Sequence, residues 1–159
     1  MKVINEMTVS FKALSVNESF ARSLVAAFCV QANPTLDEIT DIKTAVSEAV
    51  TNSVVHAYPD GKGNIQINVK LYENGVLITV LDSGIGITNI EKAKQPFYTT
   101  KPNEERSGMG FTVMETFMND VKVTRNTGRG VKVQMLKIFG ESAKNVVGEW
   151  CMTTTKRLS

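Results

Sequence analysis

Apolar positions that alternate with polar ones, or run together over a few residues, predict five short strands. The predicted strands are residues 3–11, 65–71, 76–81, 121–124 and 131–138. Asn74-Gly75 lies between the second and third strands and is a hairpin signal, because these two residue types readily adopt the backbone of a tight turn. Residues 126–130 are expected to connect the last two strands in a closing hairpin.

Other stretches repeat their apolar residues at helical spacing. The sequence Ser15-Val16-Asn17-Glu18 predicts a capping box for a first helix, and Thr35-Leu36-Asp37-Glu38 predicts one for a second helix that runs to about Ala57. A third helix should start around Gly108 and end near Met118, and a short helix is expected near residues 88–94. The second helix has a core-facing stripe of Ile39, Ile42, Val46, Ala49, Val50 and Ser53.

The order of these elements is strand, two helices, hairpin, helix, hairpin. It predicts an α+β fold, a two-layer α/β sandwich in which helices cover one face of a mixed, mostly antiparallel sheet. Residues 1–139 should form this single domain, and residues 140–159 are expected to be a weakly ordered tail.

Composition and charge narrow the class of protein. The chain has 18 basic and 16 acidic residues spread along its 159 positions, a balance that does not favour direct nucleic-acid binding. It has neither an apolar run near the ~20 residues of a membrane span nor a signal-peptide core, so a cytoplasmic protein without membrane contact is expected. Cys29 and Cys151 then predict two reduced thiols, and His56 alone cannot build a histidine metal cluster.

Glu48 and Asn52 are one turn apart on the second helix, nearly opposite its core-facing stripe. An asparagine carboxamide oxygen is a suitable Mg²⁺ ligand beside nucleotide phosphates. A carboxylate one turn earlier could accept the proton of an attacking hydroxyl. A simple solvated polar face is the alternative interpretation of this pair.

Two glycine motifs follow. Asp82 ends an apolar strand, and Gly84 and Gly86 after it allow either a tight turn or the close approach of a ligand. Gly108-Met109-Gly110 opens the third helix, whose free N–H groups could hold phosphate oxygens. The spacing fits neither a Walker A loop nor a Rossmann fingerprint. The 13 residues 95–107 between the motifs fit a lid or a plain surface loop.

Taken in order, four segments resemble the GHKL ATPase/kinase superfamily, and within it the serine-kinase anti-sigma factors of Gram-positive bacteria. The segments are Glu48-Ala49-Val50-Thr51-Asn52-Ser53, Asp82-Ser83-Gly84-Ile85-Gly86, Pro96-Phe97-Tyr98-Thr99-Thr100-Lys101-Pro102 and Arg106-Ser107-Gly108-Met109-Gly110-Phe111. The resemblance implies a Bergerat-type ATP-binding fold, ATP with Mg²⁺ as cofactors and a homodimer. It also implies sequestration of a sigma factor and phosphorylation of a serine on an anti-anti-sigma partner.

The same resemblance implies roles for individual residues. Glu48 and Arg106 would be catalytic, Glu48 as the general base, and Asn52 would be the Mg²⁺ ligand. Glu18 and Arg22 on the first helix would lie on the partner-binding face. The nucleotide would contact Asn52, Asp82, Gly84, Gly86, Thr99, Thr100, Lys101, Ser107, Gly108, Met109, Gly110 and Phe111. Val131 departs from the family pattern, which often has a threonine after the last glycine turn.

Three other hypotheses remain. The chain could use ATP only to shape a partner-binding surface, without phosphoryl transfer. It could be a general-stress anti-sigma factor or a related switch kinase, which share the four motifs. A histidine-kinase catalytic domain is disfavoured, because no phospho-acceptor helical hairpin precedes the first strand in this sequence.

Overall fold

The computed structural model describes residues 2–87, 89–95 and 110–140. The strands are β1 (Val3–Lys12), β2 (Asn64–Tyr72), β3 (Gly75–Asp82), β4 (Asp120–Arg125) and β5 (Val131–Ile138). The helices are α1 (Val16–Cys29), α2 (Leu36–Asn52), α3 (Ile90–Ala93) and α4 (Gly110–Phe117), with a 3₁₀ turn at Val30–Ala32 and a π-helical turn at Ser53–Ala57. The predicted elements are therefore confirmed, except that the second helix is α-helical only to Asn52 and continues as the π-helical turn.

The strands form one sheet in the order β1-β2-β3-β5-β4. Each neighbouring pair is antiparallel, so within the described residues the sheet is not mixed. The β2–β3 hairpin, expected to turn at Glu73-Asn74-Gly75, is confirmed. Gly75 already pairs with Tyr72, so Glu73 and Asn74 are the two loop residues and Gly75 is the first residue of β3.

Helices α1, α2 and α4 pack on one face of this sheet. Side chains from the strands and from α2 meet there with no exposed surface, and each such burial stabilises the fold by about 1.5–3 kcal/mol. They include Ile42, Val46, Val50, Ile65, Ile67, Val69, Ile78 and Met135. The two-layer sandwich predicted from the order of elements is confirmed.

A capping box begins α2, as predicted. The Thr35 hydroxyl oxygen accepts the Glu38 N–H at 3.2 Å, and the Glu38 carboxylate accepts the Thr35 N–H at 2.7 Å. The other Glu38 oxygen accepts the N–H of Gly140 at 2.7 Å, which attaches the end of the sheet to this helix. Burial opposes ionisation of Glu38, but these hydrogen bonds and the charge of Lys137 together lower its pKa.

The capping box predicted for α1 is wrong. Ser15 has helical backbone angles (φ −58°, ψ −32°), and its side chain caps no N–H group. A capping side chain needs an extended backbone at its own residue, so Ser15 cannot serve. Glu18 instead accepts a hydrogen bond from the Arg22 guanidinium at 3.1 Å, one turn along the helix.

Two expectations drawn from composition concern membranes and thiols. Among the described residues, no helix has the length and apolarity that crossing a membrane requires. Cys29 is a free thiol, and its burial raises its pKa to about 12. Cys151 lies outside the described residues.

Candidate functional site

Helix α2 presents Glu48 and Asn52 on a partly covered face. The predicted core stripe is confirmed, because its members are buried except for the half-buried Ile39. Glu48 and Asn52 are both half-buried rather than fully solvated. Ala45, one turn before Glu48, is completely buried, and α4 packs against α2. The polar face therefore borders the α2–α4 contact.

The start of α4 lies against Asn52. A Cβ atom built on Gly110 would be 2.9 Å from Asn52 Oδ1 and 3.0 Å from Asn52 Nδ2. A side chain at position 110 would occupy the space in front of this carboxamide. The missing side chain therefore lets the helix N-terminus, where N–H groups lack helical partners, lie close to a polar group suited to bind a cation.

Asp82 ends β3 and is only 4% exposed, with three hydrogen-bond donors around its carboxylate. The N–H groups of Gly84 and Val131 each donate to Oδ1 at 3.1 Å. The hydroxyl of Ser53 donates to Oδ2, also at 3.1 Å. Two acceptor positions on Oδ1 are thus used, whereas Oδ2 accepts one hydrogen bond from these groups and can accept another.

Burial dominates the electrostatics of this carboxylate. It raises the pKa of Asp82 above its ordinary value, although the hydrogen bonds from Gly84, Val131 and Ser53 act in the opposite direction. A buried carboxylate with an acceptor position left on Oδ2 is suited to accept a hydrogen bond from a neutral N–H group of a ligand. An exocyclic amine on a purine is such a group.

Two glycines allow the backbone to close around Asp82. A Cβ atom on Gly84 would overlap the carbonyl oxygen of Ala57, at the end of the π-helical turn. Gly130 has φ +100°, and a Cβ atom there would overlap the Asp82 carbonyl. Gly86 also has a positive φ, +80°, and lies beside Gly130. The predicted glycine turn is therefore a close backbone approach.

Several residues that support this turn were not expected from the sequence. The Tyr58 hydroxyl accepts the Ser83 N–H at 2.9 Å and donates to the Asn64 carbonyl at 2.6 Å. The Asn126 carboxamide donates to the Asp82 carbonyl at 2.7 Å. Ser53 was assigned to the core stripe. It is the only hydroxyl-bearing residue in that otherwise apolar stripe, and this was the signal in the sequence that it has a polar partner.

The remaining predicted residues fall into three groups. Phe111 is buried in the core, so a ligand contact from it would have to come from its backbone. Glu18 and Arg22 form their ion pair on α1, with 23% and 40% of the side chain exposed. The others, Thr99, Thr100, Lys101, Arg106, Ser107, Gly108 and Met109, lie outside the described residues.

The donor set fits a magnesium nucleotide. The described part of the chain has no group of three or more His, Cys, Asp or Glu side chains placed to hold a metal ion. Mg²⁺ commonly takes only one or two protein oxygens and completes its octahedron with phosphate and water. Asn52 Oδ1 can supply one such oxygen.

Comparisons with known proteins point to one family. A family model described as "Histidine kinase-like ATPase domain" matches residues 11–137. An anti-sigma F factor of Bacillus licheniformis is 52% identical over 139 residues, which cover 87% of this chain and 95% of that protein. The anti-sigma F factor of Bacillus subtilis strain 168 is 50% identical over 87% of this chain and 95% of its own length. That of Clostridium beijerinckii is 53% identical over 85% of this chain and 95% of its own length. The chain belongs to the anti-sigma F factor family of histidine kinase-like ATPases.

A solved structure supports the fold independently. The crystal structure of the RsbU and RsbW domains of Rv1364c from Mycobacterium tuberculosis superposes with a TM-score of 0.61 at 17% identity. The superposition covers 85% of this chain and 32% of that one. The resemblance drawn from the four motifs is thus confirmed at the level of family and fold, and the matched ATPase domain supports ATP binding by this chain.

Proposed function

We propose that the chain is an ATP-dependent protein-serine kinase and an anti-sigma factor. It would sequester a sigma factor and phosphorylate a serine on an anti-anti-sigma partner. The observation that carries this proposal is that two successive residues, the last of α2 and the first of the π-helical turn, contact the other two motifs. Asn52 faces Gly110 at the start of α4, and Ser53 donates to Asp82 at the end of β3. The names of the relatives support the anti-sigma role.

The geometry suggests how this chain's residues would act. Oδ2 of Asp82 would accept a hydrogen bond from the adenine amine, and the N-terminus of α4 would donate N–H groups to phosphate oxygens. Asn52 would hold Mg²⁺, which supplies charge neutralisation on the phosphates when bound. Arg106, just before α4 in the sequence, would meet the same phosphates.

Glu48 is proposed as the general base. Its carboxylate would take the proton from the partner's serine hydroxyl as that oxygen bonds to the γ-phosphorus and the bond to the bridging oxygen of ADP breaks. Glu48 precedes Asn52 by one turn, so the base and the metal ligand would lie on the same side of α2. This placement suits an attack on a metal-bound phosphate.

The partner and assembly assignments belong to the same proposal. Glu18 and Arg22 would contact the partner from α1, and the protein would act in the cytoplasm. A homodimer would have at least one suitable surface, because β1 is an edge strand and Val16 and Phe20 beside it are 73% and 48% exposed. Light scattering on the purified chain would measure the assembly directly.

Titration calorimetry with ATP, with and without Mg²⁺, tests the nucleotide site. In Asp82→Asn the amide oxygen should face the two N–H donors, which places the NH₂ group where Oδ2 was. That group would face the adenine amine, donor against donor, and the amine would lose its hydrogen bond to a charged acceptor. Such a bond is worth about 1.5–3 kcal/mol, which corresponds to roughly a 10- to 100-fold loss of affinity. Asn52→Ala should instead abolish the gain in affinity that Mg²⁺ confers.

Asn68→Ala, on the sheet face away from the helices, is the matched control and should bind as the unmodified chain does. Equal ATP affinity in Asp82→Asn would overturn the adenine assignment. Mass spectrometry of the anti-anti-sigma protein after incubation with Mg-ATP separates the two functional alternatives. Tight partner binding without a phosphoserine would favour the module that uses ATP without transferring its phosphate.

A further inference from the structure

The peptide group between Asp82 and Ser83 is held at both ends by side chains. Its carbonyl oxygen accepts an N–H of the Asn126 carboxamide at 2.7 Å, and its N–H donates to the Tyr58 hydroxyl at 2.9 Å. The carbonyl and the N–H of a trans peptide point in opposite directions, so the two contacts restrain this group from opposite sides. The backbone directly after Asp82 is therefore held in one orientation.

Tyr58 is itself held by the segment that leads into β2. Its hydroxyl donates to the Asn64 carbonyl at 2.6 Å. A Cβ atom on Gly63 would overlap its ring, so the ring lies directly against the backbone there. The Gly63 carbonyl in turn accepts the Ala13 N–H at 2.9 Å, just after the end of β1. The Tyr58 hydroxyl therefore occupies a fixed position between the start of β2 and the end of β3.

The end of the π-helical turn holds the rest of the glycine loop. The Ile85 N–H donates to the Ala57 carbonyl at 2.9 Å, and the Gly84 N–H donates to Asp82 Oδ1 at 3.1 Å. Together with the N–H on the Tyr58 hydroxyl, the three successive N–H groups after Asp82 all have partners. Two of these partners come from consecutive residues at the end of the π-helical turn. The loop conformation is therefore set largely by residues outside the loop.

These contacts bear on which base the site accepts. Oδ2 of Asp82 can accept one hydrogen bond beyond that of Ser53. The amine of adenine can donate to it, whereas an oxopurine presents the lone pairs of a carbonyl oxygen at the same ring position. A site built around one hydrogen-bonding group rejects the other only while its own polar group stays in place. A carboxylate that could move away would lose the bond to the amine and relieve the repulsion of the carbonyl oxygen.

We propose that Tyr58 and Asn126 are positioning residues that set the preference for adenine over an oxopurine, because they hold the peptide group after Asp82. The inference rests on the proposed assignment of Asp82 to the adenine amine. Each residue acts through the Asp82 carboxylate rather than by contact with the base. The two side chains lie 25 and 44 positions in sequence from the residues that they hold.

Titration calorimetry with Mg-ATP and Mg-ITP measures the preference, since ITP has a carbonyl oxygen where ATP has the amine. Tyr58→Phe removes only the hydroxyl. It should lower the ratio of the ATP affinity to the ITP affinity roughly 2- to 10-fold, the value of one neutral hydrogen bond. Tyr72→Phe removes a hydroxyl at the other end of the β2–β3 hairpin and should leave the ratio unchanged. A loss of stability weakens the binding of both nucleotides alike, so the ratio separates positioning from folding.

A second pair of variants tests the carbonyl end of the peptide group, and it serves as well if Tyr58→Phe fails to fold. Asn126→Ala should lower the same ratio by a similar factor. Asn119→Ala is its control, because the Asn119 carboxamide also holds strand backbone, the Ile138 N–H at 2.9 Å, but at the other end of β4. It should leave the ratio as it is in the unmodified chain.

The variant Asp82→Asn shows whether Tyr58 acts through Asp82. In that background Tyr58→Phe should change the ratio no further, because the acceptor that it positions is gone; a further decrease would overturn the inference. An unchanged ratio in Tyr58→Phe or Asn126→Ala, when the unmodified chain prefers ATP, would overturn it and leave the Asp82 assignment intact. An unmodified chain without a preference for ATP would overturn both. All of these are binding measurements, so a failure of phosphoryl transfer would bear on the kinase proposal alone.

Discussion

Replacing Ser53 with alanine removes one of the three hydrogen bonds on the Asp82 carboxylate while leaving both N–H donors on Oδ1 in place. The bond spans 3.1 Å, and both side chains are nearly inaccessible, at 6% and 4% exposure. Water therefore cannot readily replace the lost hydroxyl. The change isolates the contact between α2 and the end of β3.

The cost of the substitution should depend on pH. Burial raises the folded-state pKa of Asp82, so its contribution to stability is present at acid pH and is lost as pH rises through that pKa. The Ser53 hydroxyl reduces this loss by stabilising the ionised form. Above the titration of Asp82 the substitution removes a bond to a charged group, about 1.5–3 kcal/mol, whereas below that titration it removes a neutral bond, about 0.5–1.5 kcal/mol.

Urea unfolding of both proteins across the acid-to-neutral range measures this difference. Ser47→Ala is a matched control on the same helix, because among the described residues its hydroxyl is buried without a hydrogen-bond partner. Its removal should be neutral or slightly stabilising at every pH. A cost of Ser53→Ala that is the same at acid and neutral pH would refute the claim that Ser53 supports an ionised carboxylate.

Other substitutions test the glycine positions and the α2 cap. Gly110→Ala should weaken Mg-ATP binding, because its Cβ would crowd the Asn52 carboxamide; calorimetry showing unchanged affinity would contradict this. Gly130→Ala should lower the melting temperature more than Gly128→Ala. Both glycines have a positive φ, so alanine costs about 1–3 kcal/mol of strain at either position, but only at position 130 would its Cβ also overlap the Asp82 carbonyl. Equal losses of stability would contradict this. Because its pKa is lowered in the folded state, Glu38 contributes stability above its unfolded-state pKa, and this stability is lost as pH falls through the folded-state pKa. Glu38→Gln should therefore reduce the decrease in unfolding free energy at acid pH, measured by urea titration. An unchanged decrease would assign it to other carboxyls.

Local patterns predicted the framework because their causes are local. Alternation along β2 and the Thr35–Glu38 pair of α2 involve residues a few positions apart, and both are confirmed. The capping box at Ser15 failed because its backbone angles are helical, which the residue types in the motif do not determine. The burial of Leu136 could not be predicted, because alternation along β5 places it on the sheet face opposite the helices.

The site shows the same division. The spacing of Glu48 and Asn52 placed them together on α2, but their half-buried state depends on α4, which is distant in sequence. Ser53 was assigned to the core by its phase, and only the folded chain shows its hydroxyl at Asp82. Contacts between residues 29 positions apart cannot be derived from periodicity.

Single-turnover transfer from γ-labelled ATP to the anti-anti-sigma protein tests the central claim most directly, with the unmodified chain and Glu48→Gln compared at saturating Mg-ATP. The account predicts labelled serine with the unmodified chain. It predicts equal ATP affinity but little or no label with Glu48→Gln, because the base is lost and the nucleotide contacts remain. Full transfer by Glu48→Gln, or no label with an unmodified chain that binds both ATP and the partner, would contradict it.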